Sequence, residues 1–168
     1  MKSALKFIAF AFLTLAPLST YAQSNVAHIN VQQLISEMPE VIAAQNELAK
    51  LEKDYTTQID NAFKEFQTKA QSYSADAANQ TDVTNQARQK ELESMQTNLQ
   101  EFRDSAAQEL QKKQMELMTP LLEKARNAIT KVGQEQGFDY VIDASPNGGI
   151  ILADGKDLIE DVKRELGF

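Results

Sequence analysis

The chain has 168 residues, with 17 basic against 24 acidic side chains and no cysteine. That length permits one modest globular unit, and the missing cysteine excludes disulfide staples, Cys-ligated zinc and thiol catalysis. The acidic balance offers no general attraction to nucleic acid or anionic lipid.

Lys2 and Lys6 precede an apolar run from Phe7 to Leu18, and Thr20-Tyr21-Ala22 has the small residues of a cleavage site. This pattern predicts a secretory signal peptide over 1–22, cleaved after Ala22, because the run is short for a bilayer span. Cleavage before Gln23 rather than a cysteine argues against a lipoprotein. Both lysines leave with the signal, so 17 less 2 gives 15 basic against 24 acidic residues, a net charge of −9.

Val26, Ile29 and Val31 read as a short strand without a local partner, followed by a brief helical turn from Gln32 to Met38. Pro39 then opens a long helix at a first-turn position, where its missing N–H costs nothing. Apolar or small residues recur at Leu48, Leu51, Tyr55, Ile59, Ala62, Phe66, Ala70 and Tyr73. Their spacing is an eleven-residue repeat, which predicts a straight or slightly right-handed supercoil. The short polar residues from Asp76 to Asp82 favour a reversal. A second stripe then runs through Leu92, Met95, Leu99, Phe102, Ala106 and Leu110, and on through Leu117, Leu121, Ala125, Ala128 and Val132. The two stripes predict an antiparallel helical hairpin. With its tip near residue 78, Pro39 lies level with Pro120, and the arm projects on the order of 55 Å from that level. Asp60 with Lys64, Glu65 with Lys69 and Glu109 with Lys113 have the spacing of helical ion pairs.

Gly137 is positioned to cap the second helix. Phe138 to Asp143 and Ile150-Ile151-Leu152, separated by Ser145-Pro146-Asn147-Gly148, read as a β-hairpin. Asp157 with Glu160 suggests a capping box for a last helix that turns Leu158, Ile159, Val162 and Leu166 inward and ends at Gly167. The expected fold class is α+β, with an arm over 39–119 projecting from a β-rich body made of 23–38 and 120–168. So few short strands cannot bury enough surface alone, so oligomerisation is expected to complete the body. Its candidate interface residues are Val26, Ile29, Val31, Val141, Ile142, Ile150, Ile151 and Leu152.

This order of elements resembles the Skp/OmpH family of periplasmic chaperones over nearly the whole processed chain. The resemblance rests on the run from Asn30 to Pro39, the hairpin, the stretch Pro120 to Ala125, and Gly137 to Asp143 closing the second helix. It implies a jellyfish-shaped homotrimer in the periplasm, without nucleotide or other cofactor, whose three arms enclose an unfolded outer-membrane protein. Better-known members are basic, with positive arm tips thought to contact lipopolysaccharide or membrane. Here Lys64, Lys69, Arg88 and Lys90 alternate with Glu65, Asp76, Asp82, Glu91 and Glu93, which argues against lipid contact.

Candidate client-binding residues are Phe63, Phe66, Tyr73, Met95 and Phe102, because Met and aromatic side chains adapt to many shapes. The on-stripe residues among them suit a seam between the helices better than a client surface, whereas Phe63, just beside the stripe, suits either. Pro39 and Pro120 are candidate hinges, although a static bend at Pro120 fits the sequence as well. His28 is the only histidine and reads as an inert strand residue. Asp139 and Asp143 lack the surroundings of a carboxylate pair in catalysis, and no catalytic or metal site is expected. Asn79-Gln80-Thr81 fits a glycosylation acceptor, a pattern common by chance. Phe168 resembles the last residue of a membrane barrel, but the chain lacks repeated amphipathic strands. Two function classes fit: a trimeric holdase, and a structural coiled-coil spacer or adaptor of the envelope with a folded partner.

Overall fold

A computed structural model describes residues 24–146 and 149–168. The proposed signal peptide and part of the Ser145–Gly148 turn lie outside the described residues. Strand β1 (Val26–Ile29) leads into helix α1 (Val31–Glu37), the long helix α2 (Pro39–Asp76) and a 3-10 turn (Ala77–Asn79). Helix α3 (Asp82–Glu135), strands β2 (Tyr140–Asp143) and β3 (Lys156–Asp157), and helix α4 (Ile159–Leu166) follow. The hairpin and its tip are where the stripes predicted them.

Strand β1 is two residues shorter than its apolar pattern suggests, ending at Ile29 instead of Val31. Asn30 breaks it by accepting a 2.9 Å hydrogen bond from the Gln33 N–H, which caps α1. Val31 is therefore the first helical residue and not a strand residue. β1 lies at the centre of a three-stranded sheet, parallel to both neighbours, in the order β2-β1-β3. Parallel neighbours need a crossover, and the whole arm is inserted in the one between β1 and β2.

Among the described residues the expected β-hairpin does not form. Ile150, Ile151 and Leu152 form no strand and are exposed, and the third strand is instead Lys156–Asp157. Strand propensity expresses fit to a half-buried pleated surface, and within one chain these three residues have no such surface to lie on. The capping box is also absent. Asp157 is a strand residue whose carboxylate accepts the Ile159 N–H at 2.9 Å, and Glu160 turns away to Lys163.

One face of the sheet carries the core. Ala27 and Ile29 point into it and meet Leu34, Met38, Val41, Ala125, Ala128, Val132, Leu158, Ile159 and Val162. Ile29, Leu34, Met38, Val41, Leu158 and Val162 are the largest fully buried side chains, each worth ~2 kcal/mol of burial. Gly137, at φ 74°, ends α3 as the chain turns, with the Phe138 N–H donating to the Gly133 carbonyl at 3.0 Å. Lys163–Glu37 and Lys131–Glu165 pairs, at 2.5 and 2.6 Å, tie α4 to α1 and α3. The carboxylates at Asp139 and Asp143 serve the backbone: Asp139 accepts the Asn25 N–H, and Asp143 accepts from the Ser145 hydroxyl and the Val31 N–H.

Pro39 stands at the start of α2, as expected. Pro120 does not interrupt its helix, since α3 runs unbroken from Asp82 to Glu135. The ring is exposed, while Met118, Leu121 and Ala125 pack against the core on either side. That packing carries the helix past one missing hydrogen bond. Arm and body therefore join without a break in α3.

Candidate functional site

Two helices cannot enclose a wide apolar stripe, and the arm leaves much of its stripe open. Beyond Ala44 at its base, Leu99 and Ala106 are the buried apolar residues of the arm. Tyr55, Ile59, Phe66, Met95 and Phe102 are half-buried in the seam, with Tyr55 and Phe102 edge to face at 6.1 Å.

The flanks of this seam differ. Each helix turns about 100° per residue, and the two run in opposite directions. A residue that follows a seam position therefore faces the same side on both helices, and a residue that precedes one faces the other side. The preceding side is stapled: Glu40 pairs with Lys124 at 2.6 Å, Glu47 with Lys113 at 2.8 Å, and Lys69 with Glu91 at 2.5 Å. A cross-helix partner thus replaces one of the expected helical pairs, since Lys113 reaches Glu47 rather than Glu109, while the expected Glu65–Lys69 pair forms at 4.0 Å beside the closer contact of Lys69 with Glu91.

The following side is unstapled and holds two grooves. Near the middle of the arm, Phe63, Phe66, Leu99 and Arg103 border a groove of about 550 Å³. Phe63 is 39% exposed, so the residue just off the stripe presents its ring to this groove. Toward the body, Leu122, Arg126 and Ile129 join Ile35, Phe138 and Val141 around a groove of about 670 Å³. Exposed Met115 lies two turns of α3 from Leu122 on the same side.

At the tip, Tyr73 belongs to a polar clasp. Its hydroxyl donates to Glu91 at 2.6 Å, Lys69 pairs with the other Glu91 oxygen, and Arg88 lies 4.7 Å over the Tyr73 ring. Arg88 also holds Asp76 at 3.0 Å. Lys69 and then Tyr73 hold Glu91 below the usual carboxylate range, while Glu91 pushes both of them up. Arg88 lowers Asp76 in the same way. The charges of Lys69 and Arg88 are thereby neutralised in place.

The body presents a second open surface. Val26 pairs with Tyr140 and His28 with Ile142, so all four share the sheet face opposite the core. Tyr140 is 62% exposed, and Val26 and Ile142 are also exposed. Ile29 is instead buried in the core, and Val141 is half-buried against it. Of the expected interface residues, Val26 and Ile142 lie on the bare face, and Ile150, Ile151 and Leu152 are exposed in the connection before β3. Tyr140, Met115, Leu122 and Arg103 escaped the sequence reading. Leu122 and Arg103 hold on the second helix the off-stripe position that Phe63 holds on the first, each directly after a stripe residue. Among the described residues no cluster of His, Asp or Glu is arranged to hold a metal, and no helix is long and apolar enough to cross a membrane.

A small α/β body with a long two-helix arm inserted between parallel strands defines the OmpH-like architecture. The chain belongs to the OmpH-like outer membrane protein family, whose model matches residues 25–166. It is 27% identical over 160 residues to the chaperone protein Skp of Yersinia enterocolitica, covering 92% of this chain and 93% of that one. Skp of Pectobacterium atrosepticum is 21% identical over 151 residues, covering 90% of each. A solved OmpH-like protein from Caulobacter crescentus CB15 shares the fold with a TM-score of 0.76 at 13% identity, covering 86% of this chain and 85% of that one.

Proposed function

We propose that this protein is a periplasmic, nucleotide-independent holdase that keeps unfolded outer-membrane proteins soluble between the arms of a homotrimer. The observation that carries this reading is the arm's stripe of aromatic and aliphatic residues, which its own hairpin leaves half open. Membership of a family with Skp chaperones among its relatives supports it. A rigid spacer would instead favour a closed, regular Leu and Ile seam.

In this reading residues 1–22 are removed on export, the body of 23–38 and 120–168 joins the copies, and the arm of 39–119 holds the client. The bare sheet face around Tyr140 and Ile142, with the Ile150–Leu152 segment, supplies surface for copies to meet. Phe63, Phe66 and Met95 line the client side, with Met115 and Leu122 extending it toward the body. Tyr73 and Phe102 contribute chiefly by holding the two helices together. Many weak, adaptable contacts suit a client with no fixed shape. Holding lowers the concentration of free unfolded chain by mass action, with no chemistry needed.

The test is dilution of a denatured outer-membrane barrel protein into buffer with and without the processed chain, with light scattering as the readout. Suppression that saturates near one trimer per client supports the proposal, as does a trimer by native mass measurement. A folded monomer, or scattering unchanged at excess protein, overturns it.

A further inference from the structure

On the holdase reading, we propose that the Phe63–Leu99–Arg103 groove is a subsite for an unfolded polypeptide segment in which an apolar side chain is followed by a carboxylate. Phe63, Phe66 and Leu99 supply the groove's apolar lining, and Arg103 borders it together with the neutral polar Gln96, Thr97 and Gln100. Arg103 differs from the cations on the other side of the seam. Lys69, Lys113 and Lys124 each face a carboxylate across the helices, whereas no carboxylate lies within 4 Å of Arg103 among the described residues. Its own helix offers it none either, because Leu99, Gln100, Ala106 and Ala107 occupy the neighbouring turns.

Charge also sets a direction. Glu93 borders the groove on the tip side of Arg103 and accepts a hydrogen bond from the Gln89 side chain at 3.1 Å. A carboxylate is repelled at that end and attracted at the other. An occupant therefore places its apolar side chain on Phe63 and Leu99 and its carboxylate toward the base of the arm. Guanidinium suits both halves of such a segment, since it binds carboxylates through a rigid fork and stacks on aromatic faces. The groove's 550 Å³ falls within the range of small-ligand clefts, ~300–1,000 Å³. In a protein with an acidic excess, this cation supplies a local exception to the general repulsion of acidic chains.

The experiment measures fluorescence anisotropy of short, dye-labelled, unstructured peptides in a Gly-Ser context, carrying Phe-Asp, Phe-Asn or Ala-Asp. The trimer or whatever native assembly forms is used intact. The Phe-Asp peptide is expected to bind about two- to fivefold more tightly than Phe-Asn, and more tightly than Ala-Asp. Arg103→Gln removes the preference for Asp over Asn, Phe63→Ala weakens both Phe peptides, and Arg126→Gln, in the body groove, leaves the ratio unchanged. Equal binding of Phe-Asp and Phe-Asn, survival of the preference in Arg103→Gln, or its loss in Arg126→Gln overturns the assignment. If the wild type still keeps a denatured barrel protein in solution while showing no preference, the subsite alone fails. If it does neither, the holdase reading fails with it.

Discussion

A methyl group added to Gly133 would sit 2.7 Å from Cγ2 of Val141, so α3 and β2 approach each other as closely as backbone hydrogen allows. Val141 is β-branched and stiff, and it cannot swing aside at little cost. Alanine in place of a helical glycine ordinarily gains up to ~1 kcal/mol, whereas overpacking costs ~1–3 kcal/mol. Gly133→Ala is expected to destabilise the body by about 1 kcal/mol, taking the difference of those two effects. Urea denaturation of both proteins checks the sign, and a stabilised variant would mean that β2 is free to move.

The tip clasp makes a prediction with two pH limits. Glu91 and Asp76 are held below their ordinary values of 4.5 and 3.8, so their stabilisation is complete above those values and disappears as pH falls through the lowered ones. Lys69 and Tyr73 are raised above 10.5 and 10.0, so their contribution is complete below those values and is lost as pH climbs through the raised ones. Glu91→Gln is expected to lower the thermal midpoint at neutral pH. The gap to wild type closes in acid, once Glu91 itself is protonated. Circular dichroism melts from pH 3 to pH 8 read this directly, and a gap independent of pH would show that the clasp does not depend on the Glu91 charge.

Pro120 offers a choice between a hinge and a passive irregularity. Within a helix it leaves one carbonyl without its usual donor, and if it acts as a hinge the neighbouring turns open more readily than those around Ala106. Hydrogen exchange is expected to be faster for the amides flanking Pro120 and to slow in Pro120→Ala. Uniform protection along α3 would assign it a static role.

The bare face of the sheet predicts how copies join. Ile142 lies on it beside His28 and away from the core, so Ile142→Asp leaves the single-chain core intact while placing a charge where another copy would pack. If copies join through this face as proposed, the native mass is expected to fall toward that of the monomer, with helical circular dichroism retained. An unchanged assembly would move the contact to another surface.

Periodicity alone was enough to determine the arm. The three-four spacing from Leu48 to Tyr73, its continuation from Leu92 to Val132, and the polar break between them define two helices and a reversal, because helix faces are written in local order. Gly137 and Gly167 mark helix ends for the same local reason, and both adopt the left-handed conformation. Tertiary structure decided whatever depends on residues distant in the chain. The parallel order of the sheet brings Lys156–Asp157 rather than Ile150–Leu152 beside β1, a choice that propensity cannot make because strands are completed by their partners. Which side of the arm is stapled and which is open likewise depends on pairs such as Glu47 with Lys113 and Lys69 with Glu91. Those contacts exist only once two antiparallel helices are set in one register, and that register also leaves Arg103 bordering the groove with no carboxylate within 4 Å among the described residues.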